Sequence, residues 1–350
     1  MEFYEEIGST NDVVKRALEQ GCEQGFCAVS LKQTKGYGRQ GRAWCSPPGG
    51  LYFSVALRPN APLENIPTLA LCAALAVRAG IEKLHLVQTI SEVQIKWPND
   101  VVLAQCKQQQ PSQVQAQQRA SQQPSQVQVQ QRASQQQLRV QDQQPASQQQ
   151  SRVQQQQLLR SHSQEPLPQN TFHKLCGISC EYHEGGVCIG IGLNVLRQAS
   201  ESIQTSGRYA PGFLSDVAGA GFAQLIGTSA EPFPLNPAGT QHGASVQPLS
   251  SASDANPFPL SQAAAQHIAQ TIVDELLSTM PVWEKQGFAP FADKFNSCSY
   301  LTGKNVAIKN MIGGVQTQGV VCGVDAQARL MVKTPDGSVV QVIAGEAHLV

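Results

Sequence analysis

The sequence predicts an α+β fold: a mixed or antiparallel sheet with helices, followed by a small C-terminal β-barrel. Three observations lead there. Apolar helical stretches and strand-like runs share the regular segments of the chain. Two of the strand-like runs, "KLCGISCEY" and "GVCIGIGLNV", are joined only by "HEGG", which suits a hairpin turn. The last stretch, Lys304–Val350, carries short β runs broken by "GG" and "PDG".

The elements follow in order. "STNDVVKRALEQG" offers Ser9 or Thr10 as an N-cap, spaces Val13, Val14, Ala17 and Leu18 on one face, and stops at Gly21, so it reads as a short amphipathic helix. "FCAVSLKQ" and "LYFSVALRP" read as strands, the second ended by Pro59. Thr68–Gly80 is an almost wholly apolar helix that a sheet should cover. "VQIKW" is a further strand, the hairpin of the previous paragraph follows, and Ser261–Glu284 is another helix.

Two stretches break this patterning. Residues 105–170 are dominated by glutamine and contain no aromatic residue and no glycine. "PSQVQAQQRASQQ" (Pro111–Gln123) is followed at once by "PSQVQVQQRASQQ" (Pro124–Gln136), with a decayed third copy behind it. A 13-residue period fits no ordinary solenoid unit. Glutamine buries too little apolar area to offset its ordering entropy, so a disordered insert is expected. Residues 199–259 are rich in Ser, Ala, Gly and Pro and read mostly as a long loop, with partial packing around Phe213–Leu214. The expected organisation is a catalytic domain, 1–298, interrupted by the insert 105–170 and the loop 199–259, then a small domain at 299–350.

Composition narrows the function. The chain has 350 residues, 41% of them hydrophobic and 14% charged, and its formal charges cancel. No global field draws it to nucleic acid or to an anionic membrane. No run approaches the ~18 uninterrupted apolar residues of a spanning helix, and the acidic start "MEFYEEIGST" is not a secretory signal. The ten cysteines lie among apolar neighbours without a CxxC, as expected of reduced thiols in the cytoplasm. Cys176 and Cys180 make a pair, whereas structural zinc takes four ligands.

The chemistry gathers in three motifs. "KGYGRQGRAW" (Lys35–Trp44) joins two strands, so it is neither a Walker nor a Rossmann turn. Gly36, Gly38 and Gly41 permit close backbone approach and movement, while Arg39 and Arg42 offer forked donors to a carboxylate or phosphate. "KWPND" (Lys96–Asp100) aims Lys96 and Asn99 or Asp100 at one pocket from a strand end. Asp100 is a candidate Mg²⁺ ligand, since that ion takes hard oxygen donors. Lys174 opens an otherwise apolar strand, which points it either to solvent or to an anion.

In combination these motifs resemble the biotin–protein ligase family. The resemblance rests on "STN" (Ser9–Asn11), Gln33, "GYGRQGRAW" (Gly36–Trp44), "KWPND", "KLCG" (Lys174–Gly177) and "GIGLNV" (Gly190–Val195), in the family's order. It implies a biotin/lipoate ligase-like catalytic domain with an SH3-like tail. It also implies two half-reactions, biotin plus ATP to biotinyl-5′-AMP and then transfer to a lysine of a biotin carboxyl carrier protein. Under that likeness Ser9, Thr10, Asn11, Gln33, Tyr37, Gly38, Arg39 and Lys174 surround biotin. Arg39, Arg42, Trp44, Lys96, Asn99, Asp100 and Asn194 take ATP and the adenylate, with Mg²⁺ at Asp100. Lys174 and Arg39 are the catalytic pair.

Three departures stand out. The family's first glycine-arginine pair reads Gly36-Tyr37 here, the glutamine tract separates "KWPND" from "KLCG", and the sequence opens at the catalytic helix, so a DNA-binding domain is not expected. A lipoate–protein ligase, or a Gln-rich interaction protein on an inactive ligase core, are the competing readings. A homodimer through an exposed sheet edge is compatible with the sequence.

Overall fold

The computed structural model describes residues 1–104, 172–197, 209–226, 260–310 and 313–350. The glutamine insert 105–170 and most of 199–259 lie outside the described residues.

A seven-stranded mixed sheet forms the centre. Its strands are β1 (Glu2–Tyr4), β2 (Cys27–Ser30), β3 (Gly50–Leu57), β4 (Val93–Lys96), β5 (Asp100–Ala104), β6 (Phe172–His183) and β7 (Gly186–Asn194). They lie in the order β1-β2-β3-β7-β6-β5-β4, with β1 and β2 parallel and every other pair antiparallel. The β6–β7 hairpin turns at Glu184 and Gly185, with φ of 44° and 71°, as a two-residue primed turn requires.

Alternation along the strands separates two faces. Leu51, Phe53, Val55 and Leu57 of β3, with Val187, Ile189, Ile191 and Leu193 of β7, point into one large core. Helices α2 (Leu69–Lys83) and α4 (Gln262–Gln286) cover that face. Each fully buried side chain of this kind contributes roughly 1.5–3 kcal/mol. The stretch Leu63–Lys83 is long and apolar enough to cross a membrane, and here it is mostly buried inside the protein. Ser261 caps α4 by accepting from the Ala264 amide at 3.2 Å.

Where α2 meets α4 the contact is close. A Cβ on Gly80 would stand 2.6 Å from Ile272 Cγ1 and 3.4 Å from its Cα. Gly80→Val is therefore expected to destabilise the fold by about 1–3 kcal/mol through overpacking. Thermal denaturation followed by circular dichroism checks this, and an unchanged midpoint would count against so tight a crossing.

On the opposite face α1 (Thr10–Glu19) lays Val13, Val14 and Leu18 over Ala28, Ala56 and Cys188. It covers only one end of that face. Within 199–259, residues 209–226 are folded: an extended stretch at Tyr209–Phe213 pairs with Lys174, and α3 (Ala220–Leu225) follows. Phe213, Leu214, Phe222 and Leu225 are buried, so this part is a packed element and not open loop.

After α5 (Ala292–Ser297) the tail forms β8 (Asn305–Lys309), β9 (Val315–Val324), β10 (Leu330–Lys333), β11 (Val339–Val342) and β12 (Glu346–Leu349). Their order is β11-β10-β9-β8-β12, all antiparallel. The barrel expected from the sequence is instead an open sheet. β11 and β12 occupy opposite edges, and the chain passes between them at Gly345, whose φ is 144°, without their ladders meeting. The tail is tied to the core by Trp97, whose indole donates to the Ala328 carbonyl at 3.1 Å. Asn296 adds bonds to both the amide and the carbonyl of Val324.

Candidate active site

The uncovered part of the second sheet face is the floor of a cavity of about 720 Å³. Strand register sets its composition. One rung carries Ser54, Gly190 and Ser179 side by side on β3, β7 and β6. The next carries Tyr52, Gly192, Gly177, Asp100 and Lys96, crossing from β3 to β4. The floor is thus neutral under α1 and charged near the β4–β5 turn.

The glycines of the floor leave room for what lies above. A Cβ on Gly190 would fall 2.2 Å from Asn11 Oδ1, and one on Gly192 would fall 2.6 Å from Trp44 Nε1. Trp44 therefore rests on bare backbone.

At the neutral end polar side chains are bonded to one another. The Thr10 amide and hydroxyl both reach Gln33 Oε1, at 2.8 and 3.1 Å. Gln33 Nε2 donates to Ser46 Oγ at 3.0 Å. The Thr10 and Ser54 hydroxyls lie 2.8 Å apart, and Ser54 Oγ is 2.7 Å from Asn11 Oδ1. Asn11 Nδ2 points to Ser179 Oγ at 3.4 Å. The two hydroxyls carry two protons for three oxygen–oxygen contacts, so one contact has no proton and the hydroxyl oxygens keep lone pairs open to accept a further hydrogen bond.

At the other end charge collects. Arg39, Arg42, Lys96 and Lys174 line the cavity against two carboxylates, Asp100 and Glu346. Arg39 Nη1 donates to Asn99 Oδ1 at 2.9 Å, and Asn99 is in turn fixed to the Ile178 carbonyl at 2.7 Å. Burial lowers the pKa of the Arg39 guanidinium, which stays charged at any working pH. Arg42 pairs with Glu346. Burial works against that carboxylate, but the bond from Arg42 holds it below its usual range. Lys96 is 4% exposed, between Tyr209 and Phe172 at 5.2 and 5.8 Å from the ring centroids. Burial pushes its ammonium down, and Asp100 opposes the shift.

Lys174 reaches this group through a β-bulge. The β5–β6 register slips between Val101 and Val102, so Val101 faces Cys176 while Val102 faces Lys174. The extra residue, Leu175, turns into the core, and Lys174 joins Gly177 and Ser179 on the cavity side. The Lys174 amide donates to the Ala210 carbonyl at 2.9 Å. Its own carbonyl accepts from the Gly212 amide at 2.9 Å and from Asn194 Nδ2 at 3.0 Å. The ammonium stands 2.8 Å from Asp100 Oδ1 and 4.9 Å above the Trp44 ring. The lysine–aspartate contact is an ion pair by distance, although its angles fall short of a hydrogen bond.

The glycine–arginine loop is a short hairpin. Trp44 donates its amide to the Gly36 carbonyl at 2.9 Å and Gly38 donates to the Arg42 carbonyl at 2.8 Å. The tip turns through Gln40 and Gly41, with φ of 60° and 68°.

Thr10, Asn11, Gln33, Tyr37, Gly38, Arg39, Arg42, Trp44, Lys96, Asn99, Asp100, Lys174 and Asn194 all line the one cavity. Ser9 is the exception among the residues singled out. It is buried at the N-cap of α1, and its hydroxyl has no hydrogen-bond partner among the described residues and does not line the cavity. Sequence reasoning missed Ser54 and Ser179, whose signal was a serine inside an apolar strand. It also missed Tyr209, Glu346 and His348, which tertiary packing alone brings in. Among the described residues no three His, Cys, Asp or Glu side chains gather as a metal cluster.

The model of the biotin/lipoate A/B protein ligase family matches residues 3–123. The bifunctional ligase/repressor BirA of Bacillus subtilis is 38% identical over 102 residues, covering 29% of this chain and 30% of that protein. A biotin–[acetyl-CoA-carboxylase] ligase of Mycobacterium tuberculosis is 35% identical over 100 residues, covering 28% of this chain and 37% of that one. The sequence matches thus span about a third of these relatives' length. The crystal structure of the Aquifex aeolicus biotin protein ligase with biotin and ATP superposes at a TM-score of 0.56 with 19% identity, over 99% of this chain and 97% of that one. That likeness is one of fold.

Proposed function

We propose that this chain, which carries a domain of the biotin/lipoate A/B protein ligase family over residues 3–123, is an ATP-dependent biotin–protein ligase of the cytoplasm. It joins biotin to ATP as biotinyl-5′-AMP and passes the biotinyl group to a lysine of a biotin carboxyl carrier protein. The observation that carries this reading is the division of one cavity into a neutral polar end and a cationic end, with Lys174 in the cationic end and its ammonium 4.9 Å from the centroid of the Trp44 ring.

The chemistry asks for that division. A ureido ring offers N–H donors and one carbonyl and carries no charge. It suits the open lone pair and amide groups of the Thr10, Asn11, Gln33, Ser54 and Ser179 cluster. Attack of a carboxylate on a triphosphate brings anion to anion. Cations held where charge builds up lower that barrier without reorganising. Lys174 and Arg39 take that role, and Arg42, Lys96, Asn99 and Asn194 hold the nucleotide. Mg²⁺ arriving with ATP would be held chiefly by phosphate oxygens. Asp100 would help to hold it, and the ion would neutralise phosphate charge. The mixed anhydride is water-sensitive, so a glycine loop carrying Arg39 over the cavity retains it. Residues 1–298 form the catalytic domain in this reading. Residues 299–350 are its small C-terminal β module, contributing Glu346 and His348 to the cavity rim.

Biotin-dependent exchange of pyrophosphate into ATP tests the proposal. Exchange is expected with biotin and not with lipoate, and calorimetry should give the same preference. Exchange with neither acid, from folded protein, would defeat the reading. A lipoate preference would redirect it to the sister activity.

A further inference from the structure

We propose that Tyr37 is a positioning residue, latching the glycine–arginine hairpin to α1 through Asp12 and Lys15, so that the hairpin opens only when this contact breaks. The reaction it serves rests on the ligase reading; the latch itself does not.

The geometry is specific. The Tyr37 hydroxyl donates to Asp12 Oδ1 at 2.9 Å and accepts from Lys15 Nζ at 3.1 Å. Lys15 Nζ lies 5.3 Å from the centroid of the Tyr37 ring and 2.5 Å from Glu181 Oε2 near the end of β6. One phenol therefore meets a carboxylate and an ammonium that both belong to α1, and the ammonium is itself moored to the sheet. Tyr37 bridges to Ala43 across the hairpin, so fixing Tyr37 fixes both of its arms. Among the described residues the hairpin's other polar side-chain moorings are Arg39 to Asn99 and Arg42 to Glu346, beside the apolar seat of Trp44 on Gly192. Both polar ones use side chains that an anionic ligand would recruit. Tyr37 is the polar mooring that a phosphate would leave in place.

This accounts for a tyrosine where the family resemblance leads one to expect arginine. A guanidinium here would stand against the Lys15 ammonium, whereas a phenol donates to one neighbour and accepts from the other. Burial pushes the Tyr37 phenol up to about 12, with Lys15 opposing and Asp12 adding to the shift, so the donated proton stays in place at neutral pH.

Limited trypsin digestion of the full chain, with cleavage after Arg39 and Arg42 quantified by mass spectrometry, tests the latch. Tyr37→Phe is expected to speed cleavage at both bonds by about 10-fold or more, the worth of one charge-assisted hydrogen bond. Lys15→Met should act in the same direction. The double variant should not exceed the larger single effect, because Tyr37→Phe already removes the Lys15–Tyr37 hydrogen bond that Lys15→Met removes. Cleavage after Arg78, which is held against the Val93 carbonyl at 2.9 Å, should not change. Equal cleavage in Tyr37→Phe and wild type overturns the proposal, as do effects that simply add in the double variant. In the exchange assay Tyr37→Phe should raise the KM for ATP more than it lowers the maximal rate. A wild type without exchange activity would sink the ligase reading and leave the proteolysis result standing.

Discussion

Replacing Lys174 by alanine is expected to slow adenylate formation by at least ~10²-fold, the usual cost of removing a preorganised group from developing charge. The expectation follows from how much of the fold is committed to this side chain. A bulge interrupts the β5–β6 ladder and turns Lys174 to the cavity, and three hydrogen bonds, one donated to Ala210 and two accepted from Gly212 and Asn194, hold its backbone there. The ammonium then has Asp100 on one side and the Trp44 ring on the other. The cavity carries more cations than carboxylates, and that lysine is ion-paired with one of the two carboxylates. Lys174→Met separates charge from packing, since it keeps an aliphatic stem against Trp44. Both variants should retain the wild-type circular dichroism and lose pyrophosphate exchange alike. If Lys174→Met exchanged at close to the wild-type rate, electrostatic stabilisation by Lys174 would have to be abandoned.

What the sequence disclosed, and what it withheld, divides along the range of the interactions. Glycine at positions 186, 190 and 192 of one strand, alternating with Val187, Ile189, Ile191 and Leu193, is a period-2 signal that marks a bare face opposite a core face. The β6–β7 hairpin, α1 and its end at Gly21, and the placing of Lys96 and Asp100 astride a turn are likewise local. They follow from turn chemistry and spacing. The bulge at Leu175 left no local mark. An apolar strand reads the same with or without an extra residue, and the slip is fixed by pairing with β5 and with the Tyr209–Phe213 stretch. Glu346 and His348 lie far along the chain from the motifs and reach the cavity only through docking of the tail. The closed barrel was inferred from short β runs. Those runs specify strands, but closure depends on whether the edge strands β11 and β12 meet, and they do not. Ser9 was drawn into the site by its neighbours Thr10 and Asn11. Ser9 is the N-cap, with extended backbone at φ −155° and ψ 133° just outside the helix, so it does not share the direction of the helical residues Thr10 and Asn11.

Gly190→Ala should weaken biotin binding by about 10-fold or more while leaving nucleotide affinity within about 3-fold, on an overpacking cost of roughly 1–3 kcal/mol confined to one end of the cavity. The new methyl would sit 2.2 Å from Asn11 Oδ1 and 2.5 Å from Ser179 Oγ, both far inside contact distance. Asn11 is buried and held by Ser54 Oγ at 2.7 Å, so it cannot swing aside without breaking that bond. Gly190 also lies on the rung that joins Ser54 to Ser179, so the methyl would part the residues on either side of it. The charged rung is the neighbouring one, and its groups on β4 and β5 should be undisturbed. Calorimetric titration with biotin and, separately, with ATP distinguishes the two ends. Equal losses for both ligands would mean that the cavity is one undivided site. An unchanged biotin affinity would place the vitamin away from the serine-lined rung, and the assignment of the neutral end would then fail.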